Sequence, residues 1–272
     1  MTKIGKPGRV EGKRIAVIGG GSVGPGWGNG KAAAVLYARE GGQVLVVDQN
    51  GKAAIETVDL IQGEGGRAAS FVGDMTDPEA AAAAVAEAVS AFGGLDILHY
   101  NIGISTRGGI GDTPYEDWRR VFSINLDAAF HITQAALPEL EKNGGGAIVY
   151  ITTLAAHLNG PYPYVGYETS KAALSRLSRS VATEYAARGV RSNTVVPGMI
   201  DTPHVQAHIA TAANAEMIAK TRAGQVPMKR QGTGWDVAEA ALFLASDAAG
   251  FITGVDLRVD GGMAILMGNA AI

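Results

Sequence analysis

The fold of this chain is constrained most by a regular alternation between short apolar runs and alanine-rich segments. Each run is six to eight residues long and rich in valine, isoleucine and leucine, and most end in Gly, Asp or Asn. Runs of this length and composition are typical of strands that are buried on both faces of a sheet. We predict six strands, at residues 14–19, 43–48, 68–74, 95–101, 146–152 and 191–198.

The segments between these runs have the three- and four-residue apolar spacing of helices. They lie at residues 31–39, 78–92, 118–140, 167–187 and 235–245. Strands that alternate with helices pair in parallel, with helices on both faces of the sheet. The sequence therefore predicts an α/β fold, a Rossmann-like doubly wound parallel sheet. Such sheets bind ligands at the C-terminal edge of their strands.

The length of 272 residues fits one large domain, and no linker, repeat or low-complexity segment divides it. We expect a single domain at 1–272, with an N-terminal tail at 1–12. The stretch 199–234 looks irregular, and we expect it to form a substrate lid region over the C-terminal edge of the sheet.

The composition disfavours several classes of partner. The net charge is −3 and the basic residues are scattered, so we expect no binding to nucleic acid or to an anionic membrane. No apolar run reaches the length of about 18 residues that a membrane span needs. With no cysteine and five scattered histidines, we also expect no metal site. These features predict a cytoplasmic protein whose partner is a small molecule.

A glycine-rich stretch, VIGGGSVGPGWGNGKAAAV at 17–35, follows the first strand, where nucleotide-binding loops lie. Gly19, Gly21 and Gly24 match the GxGxxG spacing on paper. The Pro-Gly pair that follows them does not support the helix that must begin there. A Walker A loop ending at Lys31 fails as well, because a proline replaces its first glycine.

Helical spacing begins only near Asn29, which we expect to cap the helix. The glycines that fit this start are Gly19, Gly28 and Gly30. Residues 22–27 then form an inserted arch, whose amides would wrap a pyrophosphate. Trp27 either packs over the nucleotide or fills the base of the loop, and we favour the second.

Asp48 ends the second strand, 18 positions after Gly30. A carboxylate near this separation binds the ribose diol of a dinucleotide and repels the 2′-phosphate of NADP. Gln49 and Asn50 follow, so no cation offsets that repulsion. We predict NAD(H) as the cofactor, with NADP(H) disfavoured. The alternative is that Asp48 is only a turn residue at the end of its strand.

Tyr167 and Lys171 lie four residues apart, hence on one face of a helix. A phenol with a pKa near 10 is a poor base at neutral pH, but a neighbouring ammonium lowers that pKa. The pair is therefore suited to taking or giving a proton. Alone, a YxxxK pattern is also common on solvated helices.

With these motifs in order, the chain from about residue 12 to 262 resembles the short-chain dehydrogenase/reductase family. YNIG at 100–103 is similar to the family's NNAG, with Tyr100 and Ile102 as departures that predict a tighter cofactor wall. SINLDAAF at 123–130 carries the family's helical asparagine as Asn125, and VVPGMIDTP at 195–203 resembles the segment after the sixth strand. The long stretch at 230–262 matches the C-terminal signature.

The resemblance implies a catalytic hydroxyl on the fifth strand, thirteen residues before the tyrosine. That position is Leu154, so the loop must hold an extra residue, and Thr153 becomes the candidate. Thr152 is the alternative, although strand alternation turns it to the other face. The implied catalytic set is Asn125, Thr153, Tyr167 and Lys171. In this set Asn125 would hold a water of the proton relay.

The implied cofactor site includes Asp74 at the adenine, Asn101 and Gly103 beside the adenosine, and Thr202 at the carboxamide. Lys171 would bind the nicotinamide ribose. The full set expected to contact the cofactor is Gly19, Gly28, Asn29, Gly30, Asp48, Asp74, Met75, Asn101, Gly103, Tyr167, Lys171, Pro197, Gly198, Ile200 and Thr202. The substrate candidates are His157, Tyr162, Tyr164 and His204, with Asn159 and His208 as further possibilities.

Together these patterns predict an NAD(H)-dependent oxidoreductase that interconverts a secondary alcohol and its ketone. The resemblance and the alanine-rich helices also imply a homotetramer. Two alternatives remain open: a dinucleotide-sensing regulator without turnover, and a Rossmann-like methyltransferase. The first would be signalled by loss of Tyr167 or Lys171, and the second does not explain the YxxxK pair.

Overall fold

The computed structural model describes residues 8–160, 163–209 and 215–266. Its strands are β1 (Arg14–Ile18), β2 (Gln43–Asp48), β3 (Arg67–Val72), β4 (Ile97–Tyr100), β5 (Gly146–Ile151), β6 (Val190–Pro197), β7 (Ile200–Asp201), β8 (Gly232–Thr233) and β9 (Asp256–Val259). Seven of them form a parallel sheet in the order β3-β2-β1-β4-β5-β6-β9, and β7 pairs with β8.

The helices alternate with the strands. They are α1 (Asn29–Arg39), α2 (Gly51–Gly63), α3 (Pro78–Phe92), α4 (Tyr115–Phe122), α5 (Ala128–Lys142), α6 (Val165–Tyr185), α7 (Pro203–Ile209), α8 (Ala215–Gln225) and α9 (Gly234–Ala245). Among the described helices, none has both the length and the apolar character that a membrane span requires.

Alternate residues of the strands face two separate cores, as the period of two in a strand demands. On one face, Ile15 and Val17 of β1 pack with α1, α2 and α9. On the other, Ala16 and Ile18 pack with α3, α5 and α6. The six predicted strands are present and both faces carry helices, so the doubly wound parallel fold is confirmed.

Several local features differ from the sequence expectations. The expectations did not include α2 or the half-buried edge strand β9. In the stretch 199–234, the described residues 199–209 and 215–234 are not irregular, because they contain β7, α7, α8 and β8. Residues 8–12 pack as a turn with Val10 buried, since Arg9 forms ion pairs with Glu40 and Glu239.

The predicted helix at 118–140 is two helices, α4 and α5, joined by a π-helical turn at Ser123–Asp127. A π-turn inserts an extra residue into a helix, and such turns often lie at functional sites. This one places the fully buried Asn125 below the C-terminal edge of the sheet.

The strand order reverses between β1 and β4, which are neighbours in the sheet. At such a reversal the chain leaves adjacent strands in opposite directions, and a crevice opens at their C-terminal ends. The loops after β1, β2, β4, β5 and β6 meet at this edge, and they carry the residues that the sequence singles out.

Candidate active site

The glycine loop runs from the end of β1 to the first turn of α1, which begins at Asn29. Gly19 has φ +77°, a backbone conformation that favours glycine. A Cβ on Gly30 would lie 1.9 Å from the Gly19 carbonyl oxygen, so helix and strand meet there without room for a side chain. Gly24 lies in the loop before the helix, and a Cβ there would meet only Pro203, at 3.9 Å.

The expected capping by Asn29 is wrong. Gly28 holds the cap position in an extended conformation, and no side chain caps the helix. Asn29 instead lies inside the first turn, because α1 starts one residue earlier than a capping Asn29 requires. Its Oδ1 atom is buried and has no hydrogen-bond partner among the described residues.

The arch at 22–27 is held by its two ends. Ser22 Oγ donates to the Gly24 carbonyl at 2.8 Å. Trp27 packs against Trp235 of α9, with ring centroids 4.6 Å apart, and Lys31 Nζ lies 5.7 Å from the Trp27 centroid. Trp27 therefore fills the base of the loop, the alternative favoured from the sequence.

Asp48 is bound by one backbone amide of the glycine loop and by one of the turn after β2. Its Oδ2 accepts from the Gly21 amide at 3.0 Å, and its Oδ1 accepts from the Asn50 amide at 2.9 Å. The side chain remains half-exposed at the end of β2. The carboxylate is thus oriented at the crevice, and each of its oxygens can accept a further hydrogen bond.

The loop after β4 joins the glycine loop to α6. Asn101 Nδ2 donates to the Gly19 carbonyl at 3.1 Å. A Cβ on Gly103 would lie 2.8 Å from Lys171 Nζ, so the end of the lysine side chain lies directly against this glycine. The structure thereby brings the YNIG segment, the first glycine and the YxxxK pair to one place.

Lys171 lies in the first turns of α6 and is 3% exposed. Its Nζ donates to the Ile102 carbonyl at 2.9 Å and to the Ile151 carbonyl at 3.0 Å. Burial lowers the pKa of Lys171 to about 7. The lysine therefore ties the ends of β4 and β5 to the helix that carries Tyr167.

Thr153 follows β5, and its hydroxyl lies close enough to the Tyr167 phenol to lower the pKa of that phenol. Its Oγ1 also accepts from the Ala155 amide at 3.3 Å. Thr152 is 3% exposed and its hydroxyl donates to the Val195 carbonyl at 3.1 Å. Only Thr153 of the two presents its hydroxyl to the tyrosine.

We expected Lys171 to lower the pKa of Tyr167, but in the structure that pKa is raised. Burial raises the pKa of the Tyr167 phenol, and the hydrogen bond with Thr153 offsets part of the increase. The sequence places the two side chains on one face of a helix. It does not show that the lysine is held by the carbonyls of Ile102 and Ile151.

Asn125 connects the loop after β4 to α6. Its Oδ1 accepts from the Ile104 amide at 2.8 Å, and its Nδ2 donates to the Ile104 carbonyl at 3.0 Å. Nδ2 also donates to Ser170 Oγ at 3.0 Å, and Ser170 donates to the Tyr167 carbonyl at 2.9 Å. Holding a water in a proton relay stays a prediction for Asn125. Ser170 was not among the residues predicted from the sequence, although it lies within the YETSK segment at 167–171.

Two groups of expected cofactor residues lie at the ends of the crevice. Asp74 is exposed after β3 and accepts from the amide and hydroxyl of Thr76. The Met75 side chain is 1% exposed in the core, so only its backbone can face a ligand. After β6, the expected residues are Pro197, Gly198, Ile200 and Thr202, all on the path from β6 into α7.

The substrate candidates are spread around the mouth of the crevice. His157 Nε2 lies 3.9 Å from a carboxylate oxygen of Asp256. Tyr164 is half-buried just before α6 and bridges to Gly108. His204 is exposed in α7 and Asn159 is exposed in the loop after β5. Tyr162 and the side chain of His208 lie outside the described part of the chain.

Tyr100 and Ile102, the two departures from NNAG, were both expected to make the cofactor wall tighter, but they occupy different surroundings. Ile102 is half-buried, and the Ile102 side chain lies 3.2 Å from the position of a Cβ on Gly19. Tyr100 does not narrow a cofactor wall, because its side chain is fully buried in the core below the sheet edge. A strand residue next to Asn101 points to the opposite face, which explains the error.

This fold and site agree with comparisons to known proteins. A family model described as enoyl-(acyl carrier protein) reductase matches residues 25–264. The 2,5-dichloro-2,5-cyclohexadiene-1,4-diol dehydrogenase LinX of Sphingobium indicum is 39% identical over 260 residues, which cover 94% of this chain and 98% of LinX. Cyclohexanol dehydrogenase of Acinetobacter sp. is 39% identical over 251 residues, covering 91% and 94%.

Two further comparisons match 7α-hydroxysteroid dehydrogenases. The 7α-hydroxysteroid dehydrogenase of Escherichia coli K12 is 36% identical over 258 residues, covering 93% of this chain and 95% of that enzyme. A 7α-hydroxysteroid dehydrogenase complexed with NADH and 7-oxo glycochenodeoxycholic acid superimposes with a TM-score of 0.84, at 36% identity and 93% and 95% coverage. The chain belongs to the short-chain dehydrogenase/reductase family, a family of oxidoreductases.

Proposed function

We propose that this protein is an NAD(H)-dependent oxidoreductase that interconverts a secondary alcohol and its ketone. One observation carries the proposal: the Thr153 hydroxyl and the Tyr167 phenol meet where β5 and α6 approach, and Lys171 is buried one turn further along α6. A hydroxyl and an acid/base phenol at one point are suited to the oxygen of an alcohol or ketone.

The residues at the crevice fit a dinucleotide. A Cβ on Gly28 would meet nothing closer than 3.6 Å, so the backbone at the start of α1 is open to a ligand. The Gly21 amide orients the Asp48 carboxylate toward the crevice. We assign the pyrophosphate to the glycine loop and the adenosine ribose to Asp48.

When bound, the nicotinamide ring supplies the redox chemistry by accepting a hydride from the alcohol carbon or returning it to the ketone carbon. Tyr167 takes the hydroxyl proton during oxidation and returns it during reduction. Thr153 accepts from the Ala155 amide, and its one hydroxyl hydrogen turns from the Tyr167 oxygen to the substrate oxygen when the substrate binds. Lys171 holds α6 against the ends of β4 and β5, and so positions Tyr167.

The names of the relatives favour a cyclic alcohol as substrate. LinX, cyclohexanol dehydrogenase and 7α-hydroxysteroid dehydrogenase are each named for a hydroxyl on a ring. We therefore propose a ring-borne secondary alcohol, with His157, Tyr162, Tyr164 and His204 as the candidate side chains around it. The region 199–234 is proposed as the lid, and a cytoplasmic location stays a prediction.

A substrate panel tests the proposed function. Cyclic, aromatic and aliphatic secondary alcohols are incubated with the enzyme and either NAD or NADP, and reduced cofactor is followed by absorbance. We expect turnover with cyclic alcohols and NAD. Binding of NAD without turnover on any alcohol would support the regulator alternative instead.

We also propose a homotetramer. Phe130 on α5 and Phe243 on α9 expose 49% and 37% of their surfaces, and such apolar faces favour association. Light scattering after size exclusion is expected to give four times the chain mass of 28.0 kDa. A mass equal to one chain across the concentrations used by the assay would contradict this prediction.

A further inference from the structure

Tyr100 is the last residue of β4, and its side chain does not point into the crevice. It is 0% exposed, yet its hydroxyl donates to the Ile124 carbonyl at 2.9 Å. Burial raises the pKa of this phenol, so the hydroxyl stays protonated and able to donate. A buried core position could be filled by phenylalanine, and the hydroxyl therefore calls for an explanation.

The acceptor of this hydrogen bond belongs to the π-turn at Ser123–Asp127, directly before Asn125. In that turn the Ala128 amide bonds to the Ser123 carbonyl, five residues back. The wider spacing shifts each carbonyl of the turn away from the amide four residues later, which in an α-helix would donate to that carbonyl. The Tyr100 hydroxyl gives the Ile124 carbonyl a donor from outside the helix.

Asn125, the next residue, has no freedom to shift without breaking other hydrogen bonds. Its amide bonds to both backbone groups of Ile104 and to Ser170, which in turn bonds to the Tyr167 carbonyl. A continuous path therefore runs from the Tyr100 hydroxyl to the backbone of Tyr167. It passes through the Ile124–Asn125 peptide unit, the Asn125 side chain and the Ser170 hydroxyl.

We propose that Tyr100 is a positioning residue, whose hydroxyl fixes the π-turn and thereby the placement of Asn125 and Tyr167. This role rests on the proposed function, because it assigns a consequence for the same reaction. Tyr100 does not touch the substrate or the cofactor. It acts by holding the π-turn in the position from which the Asn125 side chain forms hydrogen bonds with both Ile104 and Ser170.

Tyr150 offers a matched control within the same cluster. It is also 0% exposed, its ring centroid lies 6.2 Å from that of Tyr100, and its hydroxyl bonds to Thr133 at 2.7 Å. Thr133 lies in α5, beyond the π-turn. Tyr100→Phe and Tyr150→Phe each remove one buried hydroxyl from one core, but only the first removes a bond to the π-turn.

The test compares both variants with the wild type in steady-state kinetics on the best alcohol from the panel. We expect Tyr100→Phe to lower kcat about tenfold, the scale of one lost hydrogen bond, with KM for NAD unchanged. Tyr150→Phe is expected to keep kcat within about twofold, since a loss of stability alone does not move kcat of the folded enzyme. Equal kcat values in the two variants would overturn the positioning role.

Hydrogen exchange by mass spectrometry separates this proposal from the proposed function. The Ile104 amide donates to Asn125, so a displaced π-turn exposes it to exchange. We expect faster exchange in peptides covering 101–107 and 120–130 in Tyr100→Phe and not in Tyr150→Phe. If the wild type oxidises no alcohol but the exchange difference between Tyr100→Phe and Tyr150→Phe is still observed, the proposed function is wrong and the positioning role of Tyr100 is retained. If exchange is equal in the two variants, the positioning is wrong whatever the activity.

Discussion

Replacing Tyr167 by phenylalanine is expected to lower kcat for alcohol oxidation by about a thousandfold, within the range of general acid–base catalysis. The change removes one oxygen atom and leaves the ring, so packing around α6 is retained. The Thr153 hydroxyl lies against the Tyr167 phenol, which makes this phenol the group proposed to take the proton. Steady-state kinetics with NAD measures the loss, and KM for NAD should hardly change.

The control for this variant is Tyr185→Phe at the other end of α6. It removes the same atom from the same helix, and Tyr185 packs against the core with no contact to the crevice residues. We expect full activity from it. Binding of NADH, followed by fluorescence, should survive in Tyr167→Phe. Full turnover by that variant would show that another group transfers the proton.

The same phenol sets the sign of the pH dependence. Oxidation needs the phenolate, and since burial raises the pKa of Tyr167, the phenolate fraction increases as the pH rises above neutrality. Reduction needs the phenol, which is already the dominant form at neutral pH. We therefore expect kcat/KM for oxidation to increase toward alkaline pH. We expect no such increase in kcat/KM for reduction.

The framework of the site should persist over this range. Lys171 loses its charge above a pKa of about 7. Its neutral amine still has two N–H groups, which match the carbonyls of Ile102 and Ile151. A rate of oxidation that falls steadily from pH 7 upward would contradict the role given to Tyr167.

Replacing Asp48 by asparagine is expected to shift the preference between NAD and NADP by about a hundredfold toward NADP. A carboxylate about 5 Å from a phosphate charge costs about 3 kcal/mol at an effective dielectric constant of 20, which exceeds a factor of one hundred. The neutral amide introduced by Asp48→Asn removes that repulsion and weakens hydrogen bonding to the ribose diol of NAD. The ratio of kcat/KM for the two cofactors measures the shift.

Asp59→Asn is the matched control, because it removes the same charge from the exposed face of α2. We expect this variant to keep the wild-type ratio, since the solvent screens its charge. The asparagine at 48 still offers one oxygen to the Gly21 or Asn50 amide, so the loop should fold. A wild type that prefers NADP would overturn the assignment of Asp48.

Much of the fold was predictable because burial on both faces leaves continuous apolar runs, as in QVLVVD at β2. The edge strand β9 escaped prediction for the opposite reason, since Asp256 and Arg258 alternate with its apolar residues. The π-turn at Ser123–Asp127 also could not be predicted from the local sequence, because one inserted residue does not alter the apolar spacing of the flanking helices.

The sequence by itself determined which residues are candidates for the chemistry and which edge of the sheet collects them, because parallel strands place all their C-terminal ends together. Only the tertiary structure decided which atoms meet. It turned Thr153 to Tyr167 and Thr152 to Val195, and it bonded Asn125 to Ile104 and Ser170. These choices depend on contacts between segments far apart in the chain, and no local spacing encodes them.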